Sequence, residues 1–370
     1  MDTFDVAVIG LGAAGSAALA ALARAGAKVI GIDRYAPPHA LGSSHGETRL
    51  LRTAYSEGAA YVPMVLRAIT LWQELEARTH TSLFQQQGVF YCGPPGERFL
   101  DSARQAAARW NLPVTAAPPL PQLAIPQGWQ CFEERDGGFI LAEPAIAAFL
   151  ADARSHGARI LSDCRCGGID AGGARVTLDT SAGALAADRV VVTTGAWIDE
   201  LVPQLRALTY TERRVLHWFE DTGRRHTAGA GFKPFAVTTG DDRMIYGFPA
   251  NAAGEVKVGE HFSAERIASP DTVEREISAR DVEHIVAMVA QFLPGLGRRT
   301  RSTVCFYPMS WDEHFIIDRA PNDPRIVIGA GLSGHGFKFA PVIGEALANM
   351  ALARKQEIDV GFFSLARRAR

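Results

Sequence analysis

The sequence has little of what marks a secreted, membrane-bound or nucleic-acid-binding chain. It holds only 5 cysteines in 370 residues, an odd and scattered set: Cys92, Cys131, Cys164, Cys166 and Cys305. That excludes a disulfide-stapled scaffold, and the Cys164-x-Cys166 spacing does not suit zinc, so no metal is expected. A reduced cytoplasm is the expected setting. No apolar run approaches the roughly 18 residues of a membrane span. The N-terminus has no basic segment or cleavage site, and the C-terminal Ala-Arg-Arg-Ala-Arg is not a peroxisomal address. Net charge is only −2, from 38 basic and 40 acidic side chains, which removes the case for a nucleic-acid partner. Repeats and low-complexity linkers are missing too. What remains is ordinary globular composition, 47% hydrophobic and 21% charged, with length for about two domains.

The first informative stretch is FDVAVIGLGAAGSAALAALARAGAKVIGID, residues 4–33. Phe4–Ile9 has a buried-strand pattern. Gly10, Gly12 and Gly15 follow in G-x-G-x-x-G spacing: the first permits a tight turn, the second lets a pyrophosphate reach the backbone, the third lets helix and strand pack closely. Ala13–Arg24 reads as the helix, whose first N–H groups face phosphate. Gly26 ends it, Lys28–Ile32 is a second strand, and Asp33 stands at its end to accept hydrogen bonds from a ribose diol. Asp33 argues against NADP, whose extra phosphate it would repel. NAD and FAD stay open, because both offer adenosine diphosphate to this surface.

Further on, a loop rich in Pro, Gly, Ser and His follows Asp33. Tyr61–Thr79 reads as an amphipathic helix with Val62, Val65, Leu66, Ile69 and Trp72 on one face. Gly88–Cys92 is a short strand, Pro113–Trp129 is irregular, Glu143–Ser155 is a helix and Ala158–Ser162 a strand. Gly167–Gly183 reads as a hairpin. Two more strand-to-glycine transitions appear, at Ala187–Trp197 and Arg325–Leu352. Three such transitions imply a discontinuous nucleotide domain, spanning residues 1–84, 140–208 and 309–370. The rest, 85–139 and 209–308, carries aromatic strand pieces and a helix at Ala279–Phe292, and reads as a substrate domain with helices over one face of its sheet. The expected fold class is α/β, a Rossmann-type domain plus an α+β domain on a mixed or antiparallel sheet. A return to the nucleotide core at the far C-terminus favours a flavoprotein, whose long isoalloxazine is held from several segments.

Four blocks then carry a resemblance: the N-terminal unit, PPHALGSSHGETRLLRTAYSEGAAYVP (37–63), MIYGFPANAAGEVKVGEH (244–261), and CFYPMSWDEHFIID with GLSGHGFKF (305–318 and 331–339). In order and over essentially the whole chain, the sequence resembles the monomeric sarcosine oxidase / N-methyl-tryptophan oxidase family of flavoprotein amine oxidases. The resemblance implies covalent FAD, oxidation of secondary amino acids to imines, and reoxidation by dioxygen to give hydrogen peroxide. It implies a monomer whose partners are a small amino acid and O₂.

The same resemblance distributes roles. On its own, Cys305 between Val304 and Phe306 reads as a buried structural residue; the family block makes it the thioether anchor at the flavin 8α-methyl, a carbon open to thiolate attack. The other four cysteines lie outside that block and read as structural, with Cys166 also placed on the cofactor wall. His45, Arg49 and Arg52 stand at i, i+4 and i+7, one face if helical. By resemblance Arg52 holds the substrate carboxylate bidentately, while Arg49 and His45 lie against the polar edge of the flavin. Lys338 is the second carboxylate cation. Lys257 alternates with Val256 and Val258; alone it reads as a solvent-facing strand lysine, and by resemblance it promotes O₂ reduction. Tyr246 and His261 fall near the amine and the active face of the ring, and Tyr307 in the substrate pocket. Gly334, His335, Gly336 and Phe337 pass the flavin's pyrimidine edge. Ala13, Ala14, Arg34, Gly42, Ser43, Leu50, Thr194, Gly195 and Trp197 complete the implied cofactor set. The segment TTGDDRMIY (238–246) departs from the family pattern, so the preferred side chain is left open, as are a deglycating fructosyl-amine oxidase, a flavin dehydrogenase, a nicotinamide dehydrogenase and a non-catalytic flavin-binding protein.

Overall fold

The computed structural model describes residues 1–240, 243–261 and 265–369. Asp2–Ile9 is a strand fully buried from Val6 to Ile9, and Ala13–Arg24 is the helix expected after it. The first sheet runs Cys166–Asp170, Val176–Thr180, Leu185–Val192, Asp2–Ile9, Val29–Ile32, Arg159–Leu161. Its central neighbours are parallel, and Asp323–Ala330 joins Leu185–Val192 in parallel as well. Strands buried on both faces read as continuous Val and Ile runs, and that is what these show. Val6 and Val8 pack with the helices Ala13–Arg24, Val62–Thr79, Ala142–Ser155 and Ala340–Ala351. Ala7 and Ile9 pack on the opposite side with Ile198, Val202 and Leu205. Among the described residues no helix is long and apolar enough to cross a membrane.

The second sheet has nine strands, ordered Glu265–Ile267, Thr209–Glu220, Glu255–Glu260, Met244–Gly247, Phe235–Thr238, Val89–Gly93, Gln130–Glu134, Val114–Ala116, with Arg299–Ser310 paired to Thr209–Glu220. It is antiparallel except where Phe235–Thr238 runs parallel to Val89–Gly93. Helices cover both of its faces, which corrects the expectation of one. Phe90, Val237 and Val258 meet Ile285, Met288, Val289 and Phe292 of Ala279–Phe292. Tyr91, Phe132 and Ala236 meet Phe99, Leu100 and Ala103 of Arg98–Trp110. The alternating apolar residues on both sides of these strands leave neither face for solvent. A small third sheet is ordered Thr48–Leu51, Gly138–Leu141, Phe84–Gln85.

Candidate active site

A cavity of about 1160 Å³, counted to its open mouth, follows the carboxyl ends of the first sheet. This is where open α/β sheets bind ligands. Gly10 has φ +86°, and a side chain there would come within 2.7 Å of the Thr193 carbonyl. Gly15 would collide with the Gly10 carbonyl, so helix and strand touch only through glycine. Gly12 begins the helix with no side-chain cap, leaving its N–H groups directed at the cavity. Ser44 Oγ accepts only Ala13 N–H, at 3.2 Å. The wall holds Gly10, Gly12, Ala13, Ala14, Asp33, Arg34, Gly42, Ser43, Cys166, Thr194, Gly195 and Trp197. Asp33 accepts Leu11 N–H at 2.6 Å and Tyr35 N–H at 2.9 Å. It therefore tightens the phosphate loop as well as facing the cavity. Arg34 pairs with Glu200 and Asp271 at the rim. The Thr194 hydroxyl and His45 Nε2 are buried with no partner, a state that buried polar groups avoid unless a ligand satisfies them. These residues fit an FAD whose diphosphate lies at the helix start.

Next to Ser43, on the wall of this cavity, Arg49 and Cys305 meet, with His45 two residues along the chain. Arg49 Nη2 donates to the Ser43 carbonyl at 2.8 Å and lies 3.7 Å from Cys305 Sγ. That sulfur stands 3.6 Å from the same carbonyl. Cys305 is buried with Leu216 and Trp218. His45 is also buried, and burial with the charges of Arg49 and Lys257 pushes its pKa down to about 3. It is neutral at physiological pH. The proposed helical face of His45, Arg49 and Arg52 does not exist. Gly46 (φ +91°) and Glu47 (φ +69°) reverse the chain, and Thr48–Leu51 is a strand paired with Gly138–Leu141. Consecutive left-handed residues cannot begin an α-helix.

That reversal builds the Lys257 site. Lys257 Nζ donates to the carbonyls of Gly46 at 2.6 Å and Thr48 at 2.7 Å. On the other side of the turn, Glu143 accepts the N–H groups of Gly46 at 2.6 Å and Glu47 at 3.0 Å. The turn's peptide dipoles thus sit between a carboxylate and an ammonium. The solvent-facing reading of Lys257 is wrong: it is 3% exposed, beneath Phe248 and Trp218 at 5.0 and 5.9 Å. Val256 and Val258 face the opposite core, and the sheet is covered on both sides. Burial and Arg49 push the Lys257 pKa well below its ordinary value, while Glu143 and Glu47 oppose that shift.

A second cavity, about 500 Å³, is lined by Arg49, Leu50, Arg52, Met244, Tyr246, Phe248, His261, Tyr307, Gly334, His335, Phe337 and Lys338. Besides Arg49, two cations, Arg52 and Lys338, converge on it. Arg52 donates to Glu57 at 2.6 Å and Ser56 at 2.9 Å. Burial alone would raise the Glu57 carboxyl, but Arg52, His335 and Lys338 outweigh it and hold Glu57 well below the usual range. Lys338 Nζ donates to the His335 carbonyl at 2.8 Å and approaches the Tyr55 hydroxyl at 3.4 Å. Its backbone is fixed by Trp72, whose indole N–H donates to the Lys338 carbonyl at 2.9 Å. Burial, with Arg52 adding to it, brings the Lys338 pKa down to about 7. Burial likewise takes His261 and His335 to about 3. Tyr246 and Tyr307 both line the wall of this cavity, and burial pushes both hydroxyls up. A side chain on Gly334 (φ +74°) would strike Tyr307. Gly336 packs behind Leu332 instead of on the wall.

Sequence reasoning missed several residues that shape this site. Glu57 was legible only as a carboxylate five residues after Arg52. Glu143 and Glu134 gave no signal, since both come from distant segments. The Glu134 carboxylate accepts Thr53 N–H at 2.9 Å, Ala54 N–H at 2.7 Å and the Thr53 hydroxyl at 2.9 Å. It thereby anchors the backbone next to Arg52. Of the variable segment 238–246, Asp241 and Asp242 lie outside the described residues.

The chain is 38% identical over 373 aligned residues to an N-methyl-L-tryptophan oxidase of Yersinia pestis, covering 98% of this chain and 99% of that protein. Its fold matches NikD, an amino acid oxidase essential for nikkomycin biosynthesis, at a TM-score of 0.87 and 19% identity over 98% of each chain. It matches a glycine oxidase from Geobacillus kaustophilus at 0.82 and 20% identity, covering 99% of each. Residues 5–350 match a single family. The chain belongs to the FAD dependent oxidoreductase family.

Proposed function

We propose that this protein is an FAD-dependent oxidase of secondary amino acids, N-methylated or cyclic, that forms an imine and passes the electrons to O₂ as hydrogen peroxide. The observation that carries it is the convergence of Arg52 and Lys338 on an aromatic cavity next to Arg49 and Cys305. Two cations and two tyrosines suit one end of an amino acid; Met244 and Phe248 suit an apolar side chain. The name of the Yersinia relative points to N-methyl-tryptophan among the substrates. In this reading residues 1–84, 140–208 and 309–370 hold the cofactor, and 85–139 with 209–308 hold the substrate. The chain acts as a monomer in a reducing compartment, in keeping with cysteines none of which is in a disulfide among the described residues.

Bound FAD supplies the two-electron acceptor. The protein's own part is positioning. Arg52 exchanges Glu57 for the substrate carboxylate, and Lys338 provides the second contact. That fixes the carbon–nitrogen bond in one orientation, which converts a bimolecular step into a unimolecular one. Neutral His261 and the hydroxyl of Tyr246 face the amine without placing a second positive charge beside it. Cys305 would hold the flavin as a thioether, and Arg49, 3.7 Å from its sulfur, would supply positive charge beside the reduced cofactor. Lys257 favours superoxide formation: an ammonium at ~4 Å with an effective dielectric of ~20 contributes about 4 kcal/mol.

The test is a peroxide assay over sarcosine, N-methyl-tryptophan, proline, pipecolate and fructosyl-amino acids, with acid precipitation of the enzyme. The expected result is peroxide from an N-alkyl or cyclic amino acid and a pellet that stays yellow. Bleaching without peroxide would make the protein a dehydrogenase, and turnover of fructosyl-amino acids alone a deglycating enzyme. A colourless pellet would refute the thioether.

A further inference from the structure

We propose that Cys92 and Cys131 form a dithiol site that hydrogen peroxide oxidises to a cross-strand disulfide. The two residues are direct partners in the antiparallel pairing of Val89–Gly93 with Gln130–Glu134. Both project to the same side of the sheet, into the core formed with Leu123, Phe292 and Leu293. The hydrogen-bond phase of the pair decides whether they can be joined. Phe90 N–H donates away from Gln130–Glu134, to the Pro234 carbonyl at 2.9 Å. Backbone groups alternate in direction along a strand, so those of Cys92 also point away from Cys131. On the other strand the Cys131 carbonyl accepts Ala117 N–H at 3.2 Å, again on the far side. Cys92 and Cys131 are therefore a non-hydrogen-bonded pair, the kind with Cα atoms about 4.5 Å apart and side chains closest. That distance lies inside the range a disulfide spans, and the Cβ atoms need to close by no more than about 1 Å.

The two thiols are unequal. Cys131 is 8% exposed and Cys92 is fully buried. The charge of Arg104 favours the Cys131 thiolate, while burial disfavours that of Cys92. Cys131 is thus the attacking group and Cys92 the resolving one. The Cys131 thiolate attacks one peroxide oxygen, the O–O bond breaks, and the departing hydroxide takes up the thiol proton as water. The sulfenic acid then condenses with the Cys92 thiol, forming the S–S bond and releasing a second water. Two thiols lose two electrons, and one peroxide becomes two waters. Peroxide is water-sized, and Cys131 lies one strand from the sheet edge at Val114–Ala116. The oxidase reading above would supply peroxide within the same molecule, but the site does not depend on it.

The test uses holoenzyme without amino acid substrate, treated with added hydrogen peroxide. Remaining thiols are alkylated after denaturation, and non-reducing peptides are mapped by mass spectrometry. The expected result is a linked peptide pair carrying Cys92 and Cys131, two fewer alkylated thiols, and their return with dithiothreitol. Cys92→Ser should leave Cys131 as a sulfenic or sulfinic acid with no linked peptide, and Cys131→Ser should leave Cys92 unmodified. Both cysteines staying alkylatable, or a Cys164–Cys166 link in their place, would overturn the proposal. The wild-type map decides the matter even if a variant fails to fold. Because no substrate is added, a failure here is separate from a failure of the oxidase reading.

Discussion

Lys338 gives the sharpest test of the carboxylate clamp, because its pKa of about 7 places its charge change at neutral pH. The other groups around the second cavity do not titrate there. His261 and His335 are neutral above pH about 3, and Glu57 and Arg52 keep their charges, each held by the other. A bound carboxylate at ~4 Å from the ammonium, with an effective dielectric of ~20, contributes about 4 kcal/mol. That is about three pKa units, which moves Lys338 from about 7 to about 10 in the complex. The sign follows. Below pH 7 Lys338 is charged before the ligand arrives, and affinity is constant. Above pH 7 the ligand must bring a proton with it, so affinity falls about tenfold per pH unit until about pH 10. The assay is calorimetric titration of the holoenzyme with a carboxylate that lacks an amine, so that the ligand itself does not ionise in this range. Wild type should lose about a hundredfold in affinity between pH 7 and 9. Lys338→Met should bind on the order of a hundred- to a thousandfold more weakly at pH 6, with a flat profile. A flat wild-type profile, or a slope that survives in Lys338→Met, would refute the clamp.

Three other outcomes follow from the same geometry. Lys257→Met should slow reoxidation of the reduced enzyme by up to roughly a thousandfold while leaving anaerobic reduction within a small factor; stopped-flow on both half-reactions checks this, and equal losses would disprove the role. Glu143→Gln removes a charge that supports protonated Lys257, so the pH above which reoxidation declines should shift downward, read from reoxidation rates across pH. Glu134→Gln leaves one acceptor for three donors and should cost on the order of 1–3 kcal/mol. Denaturant unfolding measures that, and a raised KM with little change in kcat would place the damage at Arg52.

The sequence by itself determined the parts of this protein that are local. The strand, three glycines, helix and Asp33 are contiguous, and their mutual packing is dictated by backbone clearance: Gly15 can only be glycine when the Gly10 carbonyl lies against it. The helix Val62–Thr79 follows from apolar spacing, and Ala13–Arg24 from its Ala and Leu content after the glycines. The tertiary structure decided what depends on two distant segments meeting. No spacing shows that Lys257 is buried, because alternation says which face a residue takes but not whether that face is covered. No local rule shows that Gly46 and Thr48 turn their carbonyls toward Lys257, since that turn is held by Glu143 almost a hundred residues away. Helical spacing misread His45, Arg49 and Arg52 for the same reason: pairing of Thr48–Leu51 with Gly138–Leu141 outweighs the weak local preference. Charge states belong to the fold as well. Lys338 is an ordinary lysine in the chain; burial beside Arg52, under Trp72 and Tyr55, is what brings its proton within reach of neutral pH.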